Sequence, residues 1–307
     1  MKIVFVGTTE FGLPTLEKLK SQFELCFVIT TPDKPVGRKK IITPSPIKSW
    51  AVAKSVEFLE TEKILLLKDK IFSASPDIII VASFGQMIPQ DILDIPKLGC
   101  LNIHPSLLPK YRGPTPIQSA LENCDKETGV SIIFMDKQMD HGDIVAQKRL
   151  KIDDADDYMS LQNKLAGTSA DIMIAVLTDI EQGKITKIVQ NDNEATFTKI
   201  INFKESRIDW TVDAKAIYKK IQAYKHEPGV WTKHKDKVIK ILKSSLTQSE
   251  DHLVDLPGKL STQDSKLKVH CGTGSLLVEQ LQVEGKNPIS GLDFYNGIQK
   301  ISDKLFI

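Results

Sequence analysis

An amide at Asn102, an imidazole at His104 and a carboxylate at Asp140 are the side chains in this chain best suited to chemistry. They lie in Asn102-Ile103-His104-Pro105-Ser106-Leu107-Leu108-Pro109 and, 38 residues after Asn102, in Met139-Asp140-His141-Gly142-Asp143. A neutral amide donates to a developing oxyanion, and an imidazole backed by a carboxylate moves a proton. Brought together, the three suit acyl transfer between two bound substrates, with no metal and no nucleophilic side chain required.

Such a set must be positioned by a strand end and two loops. Residues 98–104 are apolar, few, and stopped by Pro105, which reads as a buried parallel strand. Side chains alternate along a strand, so Asn102 and His104 point the same way at its carboxyl end. In open α/β sheets ligands bind outside the carboxyl ends of the strands. A lone Asn-x-His pair can equally serve to satisfy backbone groups where a strand meets a loop, so the surrounding pattern has to decide.

The elements around this strand follow from periodicity. Apolar runs at residues 2–6, 24–30, 77–82, 99–104 and 129–135 alternate with helical patterns, which predicts an α/β, Rossmann-like, mostly parallel sheet covered by helices on both faces. The first turn, from Gly7 to Gly12, is G-x-x-x-x-G without a close-approach glycine, so no nucleotide cofactor is expected. A helix is expected over residues 158–182, its apolar stripe of Leu161, Leu165, Ile172 and Val176 serving as core. Periodicity lapses over residues 190–204, which reads as a linker between a catalytic domain at 1–189 and a second domain at 205–307. The second domain has a helical pattern at 213–224, strand patterns at 238–242, 267–271 and 276–283, and a final helix capped by Ser290 with Asp293 three residues on. Short strands joined by turns predict a small β-barrel.

Composition constrains function less. With 41 basic and 39 acidic residues the net charge is only +2, so no global attraction to nucleic acid exists. Between residues 215 and 243, however, Lys215, Lys219, Lys220, Lys225, Lys233, Lys235, Lys237, Lys240 and Lys243 face only Glu227 and Asp236. That stripe is either a phosphate-binding surface or an ordinary solvated face. No apolar run approaches membrane-spanning length, and a cytoplasmic protein is the expectation. Cys26, Cys100, Cys124 and Cys271 are scattered, with no histidine at metal-ligand spacing, and read as reduced, small apolar residues. His141 reads as serving a local turn.

The Asn102-x-His104 pair continues through Ser-Leu-Leu-Pro into Lys110-Tyr111-Arg112-Gly113 and Pro116-Ile117-Gln118. The chain also carries Ile3-Val4-Phe5-Val6-Gly7-Thr8 with Glu10-Phe11, Pro32-Asp33-Lys34-Pro35-Val36-Gly37-Arg38-Lys39-Lys40 with Pro44-Ser45-Pro46-Ile47-Lys48, then Glu127-Thr128-Gly129-Val130 and Ile208-Asp209-Trp210. On these residues, spread over both halves, the chain resembles the folate-dependent formyltransferase family. The Pro-bounded basic loop and the Ile-Asp-Trp mark resemble its tRNA branch.

That resemblance implies a formyltransferase fold followed by a barrel resembling the oligonucleotide-binding (OB) fold. It implies 10-formyltetrahydrofolate as co-substrate and methionyl-initiator tRNA as acceptor, with no metal and no nucleotide cofactor. Asn102, His104 and Asp140 become the catalytic residues. Folate is expected along Ser106, Leu107, Leu108 and Pro109 and against Phe84, Gly85, Gln86, Met87 and Ile88, whose apolar character suits a flat heterocycle; core packing is the competing reading for Leu107 and Leu108. tRNA contacts are expected at Arg38, Lys39 and Lys40 in the basic loop and at Lys215, Lys219, Lys220 and Lys237. The loop departs from the family where Lys39 follows Arg38, a place often held by glycine, and the turn at Tyr224-Lys225-His226-Glu227-Pro228-Gly229 is less aromatic and proline-rich than the pattern. A large second substrate makes a monomer the expectation. Rival readings are a sugar-nucleotide or glycinamide-ribotide formyltransferase, a formyl-folate hydrolase using water as acceptor, and a catalytically silent RNA-binding module.

Overall fold

Runs such as Ile3-Val4-Phe5-Val6 and Ile78-Ile79-Ile80-Val81-Ala82 have no polar alternation, so a sheet built from them must be covered on both faces. The computed structural model, which describes residues 1–37, 40–247, 256–298 and 304–307, meets that demand. Its strands in the first half are β1 (Lys2–Gly7), β2 (Glu24–Thr30), β3 (Lys34–Val36), β4 (Ile41–Thr43), β5 (Phe58–Glu60), β6 (Ile78–Ala82), β7 (Cys100–His104), β8 (Glu127–Phe134) and β9 (Ile144–Lys151). Seven of them form one sheet in the order β5-β2-β1-β6-β7-β8-β9, and β3 pairs with β4 as a separate hairpin. The pairings from β5 to β7 are parallel, while β8 and β9 run antiparallel. The short strand β5 and the edge strand β9 had no clear sequence signal: one is three residues long, and the other carries Lys148, Arg149 and Lys151 on an exposed edge.

Helices α1 (Leu13–Gln22), α2 (Pro46–Ala53), α3 (Lys68–Ala74), α4 (Gln90–Leu93), α5 (Pro116–Glu122) and α6 (Tyr158–Glu181) connect or follow these strands. Leu161, Leu165 and Val176 of α6 are buried, as the stripe predicted. One continuous apolar cluster joins Val4, Val6, Ile79, Val81 and Cys100 of the sheet to Ile64, Ile71 and Ile92. Its Cys100 is two residues from Asn102 on the same side of β7, so the carboxyl end of that strand rests directly on a rigid core.

The chain divides into two compact units. The first comprises Met1–Pro116, Glu127–Ile152 and Met159–Lys199; the second comprises Ile117–Lys126, Asp153–Tyr158 and Ile200–Ile307. Within the second, helix α7 (Ala214–Tyr224) is capped by Asp213, whose side chain accepts from the Lys215 N–H. Strands β10 (Val230–His234), β11 (Lys237–Leu246), β12 (Leu260–Gln263), β13 (Lys266–His270), β14 (Ser275–Val283) and β15 (Ile289–Ser290) form an antiparallel sheet in the order β10-β11-β14-β13-β12, with β15 on β14. The final helix α8 (Gly291–Gly297) starts at the predicted Ser290 cap. The last residues of the chain join the two ends of this sheet. Leu260 donates to Lys304 O and Phe306 to Gly258 O on one side, while Lys233 and Ile307 exchange backbone bonds on the other. The edges are thereby paired, which is how small antiparallel sheets avoid exposing unsatisfied backbone.

No helix among the described residues is long and apolar enough to cross a membrane. The four cysteines are free thiols; burial pushes those of Cys100 and Cys271 up to about 12, so both behave as apolar packing groups.

Candidate active site

The site is assembled in the first unit by three segments that the sequence keeps apart. Strand β7 supplies Asn102 and His104, which share a face because they are two residues apart. The loop between β8 and β9 supplies Asp140. Asn102 Nδ2 donates to Asp140 Oδ1 at 3.0 Å, and His104 Nδ1 lies 3.5 Å from Asp140 Oδ2. His104 and Asp140 have side chains only 4% and 13% exposed, so the imidazole and carboxylate interact away from bulk water.

The third segment is Tyr111-Arg112-Gly113. The Tyr111 carbonyl, which can only accept, lies 2.9 Å from His104 Nε2, so that nitrogen carries a proton. Nδ1 faces Asp140. The Gly113 N–H donates to Asp140 Oδ2 at 2.8 Å. Gly113 has φ +112°, and a Cβ there would meet Thr198 Oγ1 at 2.8 Å, so only glycine brings this N–H so close. Asp140 itself adopts φ +51°, an uncommon conformation for a residue with a side chain.

Arg112 is 4% exposed, and Gln190 is likewise buried. Arg112 Nε and Nη2 donate to Gln190 Oε1 at 3.0 and 2.9 Å, and Gln190 Nε2 donates to the carbonyls of Asp140 and Gly142, both at 2.8 Å. The Arg112 guanidinium also bonds Asp192 and holds its carboxyl below the usual range. His141, read from sequence as serving a local turn, pairs with Asp136 at 2.6 Å and lies 3.5 Å from Asp192; the Asp136 bond raises its pKa.

Residues 190–198, expected to begin a linker, are tied into this centre. Arg112 N donates to Thr196 O, Thr198 N donates to Arg112 O, and Tyr111 N donates to Thr196 Oγ1. Sequence reasoning missed Gln190, Thr196 and Thr198 because polar residues in an aperiodic stretch carry no local sign of a partner some 80 positions away. Among the described residues no group of three or more His, Cys, Asp or Glu side chains is arranged to hold a metal ion.

The formyl transferase family model matches residues 1–177, and the model of the formyl transferase C-terminal domain matches residues 200–299. The methionyl-tRNA formyltransferase of Dictyoglomus thermophilum is 38% identical over 302 residues, covering 97% of each chain. That of a Hydrogenobaculum species is 40% identical over 300 residues, again covering 97% of each. The chain belongs to the methionyl-tRNA formyltransferase family. Its backbone is also similar to HypX from Aquifex aeolicus in complex with tetrahydrofolic acid, with a TM-score of 0.67 and 16% identity over 98% of this chain and 48% of that one.

The two segments expected to meet folate divide into buried and open residues. Leu108 is buried in a cluster with Ile133 and Ile144, its N–H bonds Ser131 Oγ, and its carbonyl accepts from Gln147 Nε2. Its side chain packs in the core. Leu107 leans on β8, where a Cβ at Gly129 would come within 2.5 Å of it. Ser106 is fully buried with its hydroxyl on Lys110 O, and Pro109 is half-buried. In the second segment Ile88 belongs to the main core, and Gln86 clamps the neighbouring loop by accepting from Ile64 N and donating to Thr61 O. Phe84 is half-buried, Met87 is exposed, and a Cβ on Gly85 would meet nothing within 4 Å. This loop leaves the carboxyl end of β6, beside β7.

The basic residues divide similarly. Arg38 and Lys39 lie outside the described residues, whereas Lys40 is exposed at the turn of the β3–β4 hairpin. Lys215 and Lys237 are exposed. Lys219 is instead 6% exposed with its ammonium on Asp154 O, and Lys220 bonds the carbonyls of Glu205 and Arg207. The buried stem and its bond to a carbonyl tie Lys219 into the fold, and two carbonyl bonds hold Lys220.

Proposed function

We propose that the chain transfers the formyl group of 10-formyltetrahydrofolate to the α-amino group of methionyl-initiator tRNA. The observation that carries this reading is the full-length similarity to methionyl-tRNA formyltransferases, spanning both units. It favours this acceptor over a sugar nucleotide or a ribotide, and over water. The geometry supports the chemistry. Asn102 has two amide protons; one is held by Asp140, and the second stabilises the oxygen of the tetrahedral carbon formed when the amine attacks the formyl carbon. Asp140 with His104 Nδ1 takes the proton lost by the attacking nitrogen, and as the C–N10 bond breaks a proton is returned to N10. Both substrates stay bound throughout, so proximity lowers the barrier without a covalent enzyme intermediate.

The catalytic domain expected at residues 1–189 extends in this reading through Gln190, Thr196 and Thr198, which hold the site, and residues 205–307, together with the basic residues Arg38, Lys39 and Lys40, engage the tRNA. The folate lies along Ser106, Leu107, Leu108 and Pro109 and against Phe84, Gly85, Gln86, Met87 and Ile88, with its pterin reaching backbone groups near Asp140. A macromolecular acceptor suits a monomer working in the cytoplasm, where charged tRNA is found. The test is to supply 10-formyltetrahydrofolate with charged initiator methionyl-tRNA and to follow formyl-methionyl-tRNA, with uncharged and elongator tRNAs as controls. Product confined to the charged initiator supports the assignment. Loss of formyl-folate without formylated tRNA identifies a hydrolase or a different acceptor.

A further inference from the structure

We infer that Gln190, held by Arg112, is a positioning residue that sets the place of Asp140. The inference rests on the formyl-transfer reading above and concerns how its carboxylate is aimed. The Asp140 loop is tied at its ends, where Met135 N donates to Cys100 O and Phe134 N to Asp143 O. Between those ties the backbone at Asp140 must hold φ +51°, which local sequence does not favour. Gln190 supplies what the loop lacks. Its two amide protons go to Asp140 O and Gly142 O, and its oxygen receives two bonds from Arg112, so the carboxamide cannot be flipped without losing all four. Arg112 is itself fixed through its backbone to Thr196 and Thr198 and through Nη2 to Asp192. The next residue, Gly113, donates directly to Asp140 Oδ2, and the preceding residue, Tyr111, orients His104. One short segment therefore grips the carboxylate from one side and, through Gln190, its backbone from the other. Gln190 touches no reacting group; its effect passes through Asp140.

The decisive variant is Gln190→Glu, which keeps oxygens for Arg112 but removes both donors and turns a carboxylate toward two carbonyls. In the formylation assay kcat falls roughly tenfold to a hundredfold, the scale of a misplaced catalytic group, while KM for both substrates stays within about twofold. Arg112→Lys, which retains the charge beside Asp192 and loses the paired grip on Gln190, moves kcat in the same direction by less. The readout that a merely structural role would not produce is non-additivity: in an Asp140→Asn background, Gln190→Glu has little further effect on the residual rate. Thermal unfolding checks that each variant is folded, and should Gln190→Glu fail to fold, Arg112→Lys is carried through the same cycle. The inference is overturned if the second substitution costs as much without Asp140 as with it, or if KM rises as much as kcat falls. Failure of the underlying reading looks different, because the unaltered chain then makes no formyl-methionyl-tRNA at all.

Discussion

Asn102 and Asp140, 38 positions apart in the chain, are joined by a 3.0 Å hydrogen bond from the amide to the carboxylate. The bond fixes which way the Asn102 carboxamide faces, because the opposite orientation would set its oxygen against Asp140. The amide proposed as the oxyanion donor is thus held in place before any substrate arrives. Asn102→Ala should reduce kcat about a hundredfold to a thousandfold, corresponding to roughly 3–4 kcal/mol, with KM for formyl-folate little changed. Steady-state kinetics with both substrates varied checks this; equal losses in folate binding and turnover would remove the proposed role. Asn102→Asp should be as damaging, since it places a second carboxylate against Asp140.

Gly142 marks how tightly the loop bearing Asp140 is packed. A Cβ at this position would lie 1.8 Å from the carbonyl oxygen of Phe134, a backbone atom that cannot turn aside. Gly142→Ala should therefore displace the loop, costing about 1–3 kcal/mol of stability, and should lower kcat through Asp140 while formyl-folate still binds. Denaturant unfolding and folate titration together check it, and an unchanged midpoint with full activity would contradict the packing described.

The lysines of the second unit should separate by burial. Lys219→Ala removes a buried stem and a bond to Asp154 O, so it should lower Tm with no change in the salt dependence of tRNA binding. Exposed Lys215 and Lys237 should behave oppositely, their joint replacement by alanine raising KM for tRNA and flattening its dependence on salt without altering Tm. Binding measured across a salt series distinguishes the two patterns.

His141 should make the loop stability sensitive to pH. Its hydrogen bond to Asp136 raises its pKa above the ordinary histidine value, so the protonated form is favoured by folding. That stabilisation is complete below the unfolded value, near 6.5, and is lost as pH rises through the raised folded value. Asp192, lowered by Arg112, works in the other direction and loses its contribution only as pH falls through its depressed value. The Tm difference between the natural chain and His141→Asn should accordingly be larger near pH 6 than near pH 9. A difference that does not vary between those conditions would count against the pairing.

The sequence by itself determined the strand that ends at His104, because an apolar run closed by Pro105 has few other solutions, and with it the common face of Asn102 and His104. It also determined the parallel core, the long helix α6, the Ser290 cap and the family, since these rest on local periodicity or contiguous motifs. Tertiary structure alone decided which of the candidate residues are buried, which are exposed and which hold one another. Leu108 and Lys219 resemble ligand contacts in the sequence yet are buried, and Gln190 resembles a linker residue yet holds Asp140. Burial and hydrogen bonding are properties of the packed chain, set by neighbours far away in sequence, and no local pattern encodes a partner 50 or 78 positions distant.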